Sequence, residues 1–278
     1  MASPFVMLQR ALPHHAVSRF AGRFASSTRP ALKNALIRRF IAAYDVDMSE
    51  AARNVDEYAS FNDFFTRELK PGARPLADAA TRVLASADGT ISQIGTVTDG
   101  KIFQAKGKHF TTAQLLGDDS AAAERFEGGS FVTIYLSPRD YHRVHMPAAG
   151  ALSTTTYVPG DLFSVNDATA QDVNGLFARN ERLACLFEGD VGCFASVMVG
   201  AMIVAGIETV WGADAPTHSR KVRRNTYDDV RLDAGAEMGR FILGSTSILL
   251  FEPGAVTWDA ELGPGSTVRM GQALGQRA

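Results

Sequence analysis

The sequence predicts an α+β fold in which a β-rich domain is preceded by N-terminal amphipathic helices. Three observations carry this. Before residue 75 apolar side chains recur at helical spacing, and after residue 80 short β-branched or aromatic runs bounded by Gly, Pro or Asp replace them. Charge also divides the chain: no acidic residue precedes Asp45, whereas Arg10, Arg19, Arg23, Arg29, Lys33, Arg38 and Arg39 all do. A basic N-terminus therefore joins an acidic body. With 278 residues, 46% hydrophobic and 21% charged, the composition excludes disordered, collagen-like and disulfide-scaffold classes. Cys185 and Cys193 match no metal or redox spacing and read as buried thiols in a reducing compartment. No metal site is expected.

The elements follow in order. A first segment sets Phe5, Leu8, Leu12, Val17, Phe20 and Phe24 among arginines. In a second, over 31–44, Leu32, Leu36, Phe40 and Tyr44 recur every fourth residue with Ile37 and Ile41 alongside, Arg38 and Arg39 flank the stripe, and Pro30 suits the first turn. Such helices lie in the interface of an anionic bilayer with cations among the headgroups. Packing on the protein's own core and an organellar transit peptide are the alternatives. No run reaches the roughly 18–20 apolar residues that cross a bilayer, and no secretory signal is evident. Ser60 caps a third, short helix with Phe61, Phe64, Phe65 and Leu69 on its apolar face; residues 70–72 (KPG) stop it, and Arg74, Pro75 and Leu76 lead outward as a linker. Residues 1–75 thus form a helical membrane-associating region and 76–278 the β-rich domain. Strands are expected over 83–85, 90–97, 131–136, 151–157, 183–187, 194–207 and 242–251, with helical pieces near 112–116 and 168–176.

Three segments hold reactive side chains that packing does not explain. In the first, Asp88 precedes Gly89 between two apolar stretches, a pair that usually marks a turn. The second, residues 135–147 (YLSPRDYHRVHMP), carries His142 and His145 three apart after a strong strand, a spacing that can aim both imidazoles into one pocket. In the third, residues 241–251 (FILGSTSILLF), Gly244 and Ser245 interrupt an apolar strand, where buried hydroxyls and a glycine are costly. Together these supply an acid, an imidazole and a hydroxyl. A Ser/His/Asp lipid esterase uses that set, although the Gly-x-Ser-x-Gly elbow is missing. So does self-cleavage, in which a serine attacks its own preceding carbonyl, left sterically open by glycine. Loss of the serine α-proton then gives dehydroalanine, which hydrolyses to a pyruvoyl group, an electron sink for decarboxylation made from the chain itself.

These segments, with residues 61–69 (FNDFFTREL), 106–107 (KG), 115–117 (LLG), 159–166 (PGDLFSVN), 176–182 (LFARNER), 207–211 (IETVW) and 237–241 (EMGRF), resemble the phosphatidylserine decarboxylase family in its bacterial proenzyme form. The resemblance covers nearly the whole chain. It implies cleavage between Gly244 and Ser245 into a β chain 1–244 and an α chain 245–278 that stay associated, with Ser245 becoming the pyruvoyl (pyruvate) cofactor. It also implies a processing triad of Asp88, His145 and Ser245, in which Asp88 holds the tautomer of the base His145. His142 becomes the proton donor of decarboxylation. The implied partners are phosphatidylserine and an anionic membrane surface, with room for a homodimer and none for nucleic acid. The implied location is peripheral, on the cytoplasmic face of the cell membrane. The divergent stretch between Trp211 and Glu237, with Ala234 where the family leads one to expect Lys, receives no role. A non-catalytic membrane-binding module is the remaining alternative.

Overall fold

The computed structural model describes residues 6–7, 9, 14–201, 206–212, 220–242 and 245–278, and at 14–17, 19, 167 and 245 the backbone alone. Of the first expected apolar segment, Phe5, Leu8, Leu12 and the Val17 side chain lie outside the described residues, as do Gly244 and the Ser245 side chain.

Three helices open the described chain: α1 (His14–Ala25), α2 (Pro30–Tyr44) and α3 (Phe61–Phe65). Pro30 occupies the first turn of α2, and Asp45 ends that helix in a left-handed conformation with its N–H returned to the Ile41 carbonyl. Ser60 caps α3 as expected, accepting from the Asp63 N–H at 3.2 Å. That helix ends at Phe65, earlier than expected, because Leu69 leaves it to bridge Ala51.

The amphipathic stripe of α2 is divided between two tasks. Ile37 is buried, and Leu36, Phe40 and Ile41 pack on the cluster of Tyr58, Phe61, Phe64 and Phe65. Phe40 meets Phe61 edge-on at 5.1 Å and Phe65 at 5.8 Å, the geometry aromatic rings prefer. Self-packing therefore uses much of the apolar face, while Phe20, Phe24 and Tyr44 remain exposed. No helix among the described residues is long and apolar enough to cross a membrane.

The strands begin with β1 (Arg82–Leu84), β2 (Gly89–Thr96), β3 (Lys101–Ala105), β4 (Lys108–Thr111), β5 (Ser130–Leu136) and β6 (Arg143–His145). They continue with β7 (Gly150–Val158), β8 (Arg182–Gly189), β9 (Gly192–Gly200), β10 (Gly206–Thr209), β11 (Arg223–Thr226) and β12 (Arg231–Leu232). The last are β13 (Glu237–Ile242), β14 (Ser245–Phe251), β15 (Val256–Trp258), β16 (Thr267–Val268) and β17 (Ala273–Arg277). A nine-stranded sheet in the order β11-β7-β8-β9-β14-β5-β2-β16, with β12 also on β7, forms the centre of the domain. Its pairings are antiparallel. Both faces are covered: Leu249 and Phe251 of β14 join one apolar cluster, Ile248 and Leu250 the other. Successive side chains of a strand point to opposite faces, so burial on both sides makes such a strand read as an unbroken apolar run.

Two expected elements are redrawn. The run 194–207 is not one strand, because β9 ends at Gly200 and β10 belongs to a three-stranded sheet with β13 and β6. The helical piece over 168–176 splits into Asp167–Asp172 and Leu176–Arg179, since Gly175 takes a left-handed φ of 62° between them.

Candidate active site

One end of the large sheet gathers the three reactive segments. The register sets Ser245, first residue of β14, opposite Leu136 on one side and Gly200 on the other. Tyr135 pairs with both Thr246 and Thr90, so the start of β2, and Asp88 just before it, lie at the same end. Gly89 is required there: a Cβ would meet the Tyr135 carbonyl oxygen at 2.2 Å. The His145 N–H donates to the Ser86 carbonyl at 2.7 Å, which ties the second segment to the first. The Ser86 and Ser247 hydroxyls, 2.9 Å apart, tie the first to the third.

Asp88 is tightly engaged. Arg74 donates through Nε to Oδ1 at 2.9 Å and through Nη2 to Oδ2 at 2.5 Å, and the Met270 N–H donates to Oδ1 at 2.8 Å. Arg74 also reaches Glu50 at 2.8 Å, and Arg269 reaches the same carboxylate at 3.1 Å. The hydrogen bond from Arg74 holds the Glu50 carboxyl below its ordinary pKa. Residues 74–76, expected as an outward linker, are instead anchored at Arg74, which is buried in this ion-pair cluster.

His145 Nδ1 lies 2.8 Å from the Gly235 carbonyl. A carbonyl only accepts, so Nδ1 carries the proton and Nε2 is the basic nitrogen. The Tyr141 hydroxyl, 3.1 Å from Nε2, donates to it. Burial lowers the His145 pKa and keeps the imidazole neutral at pH 7. The tautomer expected to be set by Asp88 is thus set by Gly235, and Asp88 and His145 do not hydrogen-bond directly in this structure. Sequence reasoning missed Gly235 because a backbone carbonyl leaves no residue-type signal.

His142 is fully buried and stacked on Phe65, with ring centroids 4.1 Å apart. Its Nε2 donates to the Ser137 carbonyl at 3.1 Å, while Nδ1 is buried without a partner. Burial, reinforced by the Arg67 charge, pushes its pKa down to about 3. His142 immediately precedes β6 and stacks on Phe65, whereas His145, the last residue of that strand, packs beside Tyr141.

Two openings flank the site. An apolar groove of about 580 Å³ runs between α1, α2 and the sheet end, lined by Phe24, Leu36, Phe40, Phe65, Leu136 and Ala201 among others, with Arg39 beside them. Leu136 and Ala201 bring this groove to the register neighbours of Ser245. A polar cleft of about 300 Å³ carries Lys70, Arg74, Tyr141, Arg143, Glu68 and Glu237. Among the described residues no group of three metal-ligating side chains is assembled.

Comparison with known proteins gives the family of the chain. A family model described as phosphatidylserine decarboxylase matches residues 61–276, and a second, described as PSD, matches residues 4–45. The chain belongs to the phosphatidylserine decarboxylase family. A phosphatidylserine decarboxylase proenzyme of Saccharophagus degradans is 52% identical over 98% of this chain and 96% of its own. Proteins of the same name from Bordetella avium and Azotobacter vinelandii are 54% and 52% identical, covering 97% and 98% of this chain and 93% and 97% of theirs. Membership makes the chain an enzyme, a carboxy-lyase, and places Asp88, His142, His145 and Ser245 all inside the matched segment.

Proposed function

We propose that the chain decarboxylates phosphatidylserine to phosphatidylethanolamine with a pyruvoyl group that it makes from Ser245. The supporting observation is the sheet end itself. The register brings residue 245, the Asp88 segment and the His145 segment to one place, beside an apolar groove suited to a lipid. Unpartnered buried polar atoms gather there too, at His142 Nδ1 and Thr246 Oγ1. Such atoms are costly unless a further group meets them, which fits a site that awaits both a new carbonyl and a substrate.

In self-processing, the Ser245 hydroxyl attacks the Gly244 carbonyl and its proton passes to neutral His145 at Nε2, from which the Tyr141 hydroxyl must turn away. The Gly244 C–N bond then breaks, the proton goes on to the freed Ser245 amine, and an ester joins Gly244 to the Ser245 oxygen. The Asp88 carboxylate, held by Arg74, favours the imidazolium electrostatically without touching it. Removal of the Ser245 α-proton expels Gly244 as a carboxylate; the dehydroalanine left behind takes up water and releases ammonia. A pyruvoyl carbonyl at residue 245 would supply an electron sink for the electrons left when CO2 departs from a bound amine. His142 is the proton carrier of that stage. Because it is neutral here, it must take a proton at Nδ1 before it can give one to the α-carbon.

The N-terminal helices dock the enzyme on anionic lipid, on the cytoplasmic face of the cell membrane. Phe20 and Phe24 are exposed on α1 near Arg23, and Arg38 and Arg39 are exposed on α2. Apolar rings among cations suit an anionic interface. The test is to incubate the purified chain with phosphatidylserine vesicles: phosphatidylethanolamine forms with the wild type and not with Ser245→Ala. Product formation by Ser245→Ala would remove the cofactor assignment, and an uncut wild-type chain cleaving acyl esters would support the esterase instead.

A further inference from the structure

Arg67 carries the least satisfied charge of the described active-site region. It follows Phe65 and Thr66 at the end of α3 and is only 3% exposed. Nη2 donates to the carbonyls of Arg139 at 2.9 Å and Asp140 at 3.3 Å, yet Nε and Nη1 are buried with no partner. No carboxylate lies within ion-pair distance of it among the described residues; Asp88 and Asp140 act on it only from farther off, and the Phe64 ring lies at 5.6 Å. A guanidinium has five N–H donors and no acceptor, so its open positions can be filled only by an oxygen-rich, electron-donating group. A buried cation without a counter-ion is also where an incoming anion gains most.

The position of Arg67 says which anion fits. The apolar groove runs past Phe65 to Pro138, and the first carbonyl that Arg67 holds belongs to Arg139, the next residue. Arg67 does not itself line the groove but stands behind Phe65 and Pro138, which do, so a headgroup must reach past them to meet it. On the same side stands His142, stacked on Phe65, with its own unfilled Nδ1. The two open groups have opposite hydrogen-bonding sense and do not satisfy each other.

We propose that Arg67 binds the phosphodiester of the lipid headgroup. The inference rests on the reading of the groove as a lipid site. The substrate carboxylate is the weaker choice on chemical grounds. A fixed cation on the group that leaves as CO2 would stabilise the ground state more than the transition state, whereas the phosphodiester keeps its charge throughout. Second to burial, Arg67 also opposes a charge on His142, so an anion at the guanidinium would ease protonation of that imidazole.

Binding titrations of the full chain with short-chain lipids below their micellar concentration test this without requiring turnover. Dihexanoyl phosphatidylethanolamine has the phosphodiester and no carboxylate; dihexanoylglycerol has the tails alone; dihexanoyl phosphatidylserine has both charges. The wild type should bind the phosphatidylethanolamine at least tenfold more tightly than the diacylglycerol. Arg67→Gln should erase that difference and weaken both phospholipids alike, and Arg67→Lys should restore part of it. Unchanged preference in a folded Arg67→Gln chain would overturn the proposal. So would a loss confined to the serine lipid, which would give the guanidinium to the carboxylate. Should Arg67→Gln fail to fold, the wild type decides, because equal affinity for the phosphatidylethanolamine and the diacylglycerol contradicts a phosphodiester site. Failure of the enzymatic reading shows separately, as wild-type chain that binds lipid and releases no CO2.

Discussion

The two histidine surroundings are built in opposite ways. Around His145 the polar groups are matched: its ring nitrogens meet Gly235 and Tyr141, and the nearby Asp88 carboxylate is filled by Arg74 and Met270. Around His142 they are not, because His142 Nδ1, Arg67 Nε and Arg67 Nη1 are buried and open. A matched buried network fixes geometry before any ligand arrives. An unmatched one keeps a cost that only a ligand removes. The difference suits the two tasks proposed for them: a single event on the chain itself for the His145 side, and repeated turnover of a molecule that must enter and leave for the His142 side.

The largest test of this contrast lies at the matched side. Arg74→Ala leaves the Asp88 and Glu50 carboxylates without their shared cation, and removing one partner of a buried pair costs about 3–5 kcal/mol. Thermal denaturation should therefore show a loss of several degrees, with slowed self-cleavage. A melting temperature equal to the wild type's would mean that the cluster fixes nothing.

A smaller effect belongs to the other side. Folded His142 takes a proton only near pH 3, whereas in the unfolded chain it does so near the ordinary value of 6.5. The unfolded state thus binds more protons between those values, so stability falls as pH drops through that window, by up to about 1.4 kcal/mol per unit from this residue. His145, also lowered, adds in the same direction. Denaturant titrations at pH 7, 6 and 5 should show a shallower decline for His142→Gln than for the wild type. Equal slopes would show that His142 is not held neutral.

The smallest stability effect is expected at the membrane face. Phe20 is 65% exposed and its ring meets Phe24 at 5.0 Å. Replacing both with Ser should change folding stability by less than about 0.5 kcal/mol while reducing sedimentation with anionic vesicles. Unchanged sedimentation would take membrane docking away from α1.

Much of this was legible from residue types alone. Ser60 announces the α3 cap, Asp88 and Gly89 mark a strand entry where the backbone presses on Tyr135, and His142 and His145 follow a strand as their sequence context suggests. What stayed hidden is long-range or carried by the backbone. The Arg74–Asp88 pair joins a segment that reads as a linker to a residue that reads as a turn. Gly235 acts through its carbonyl from a stretch with no matching motif. Arg67 sits in a phenylalanine-rich run where an arginine resembles an ordinary flanking cation, and only burial distinguishes it.

The mass of the purified polypeptide bears most directly on the central claim, that the chain severs itself at the start of β14. Two species are predicted, spanning 1–244 and 245–278, with the shorter lacking a free amino group. An active preparation consisting of one intact chain with an unmodified Ser245 would contradict it.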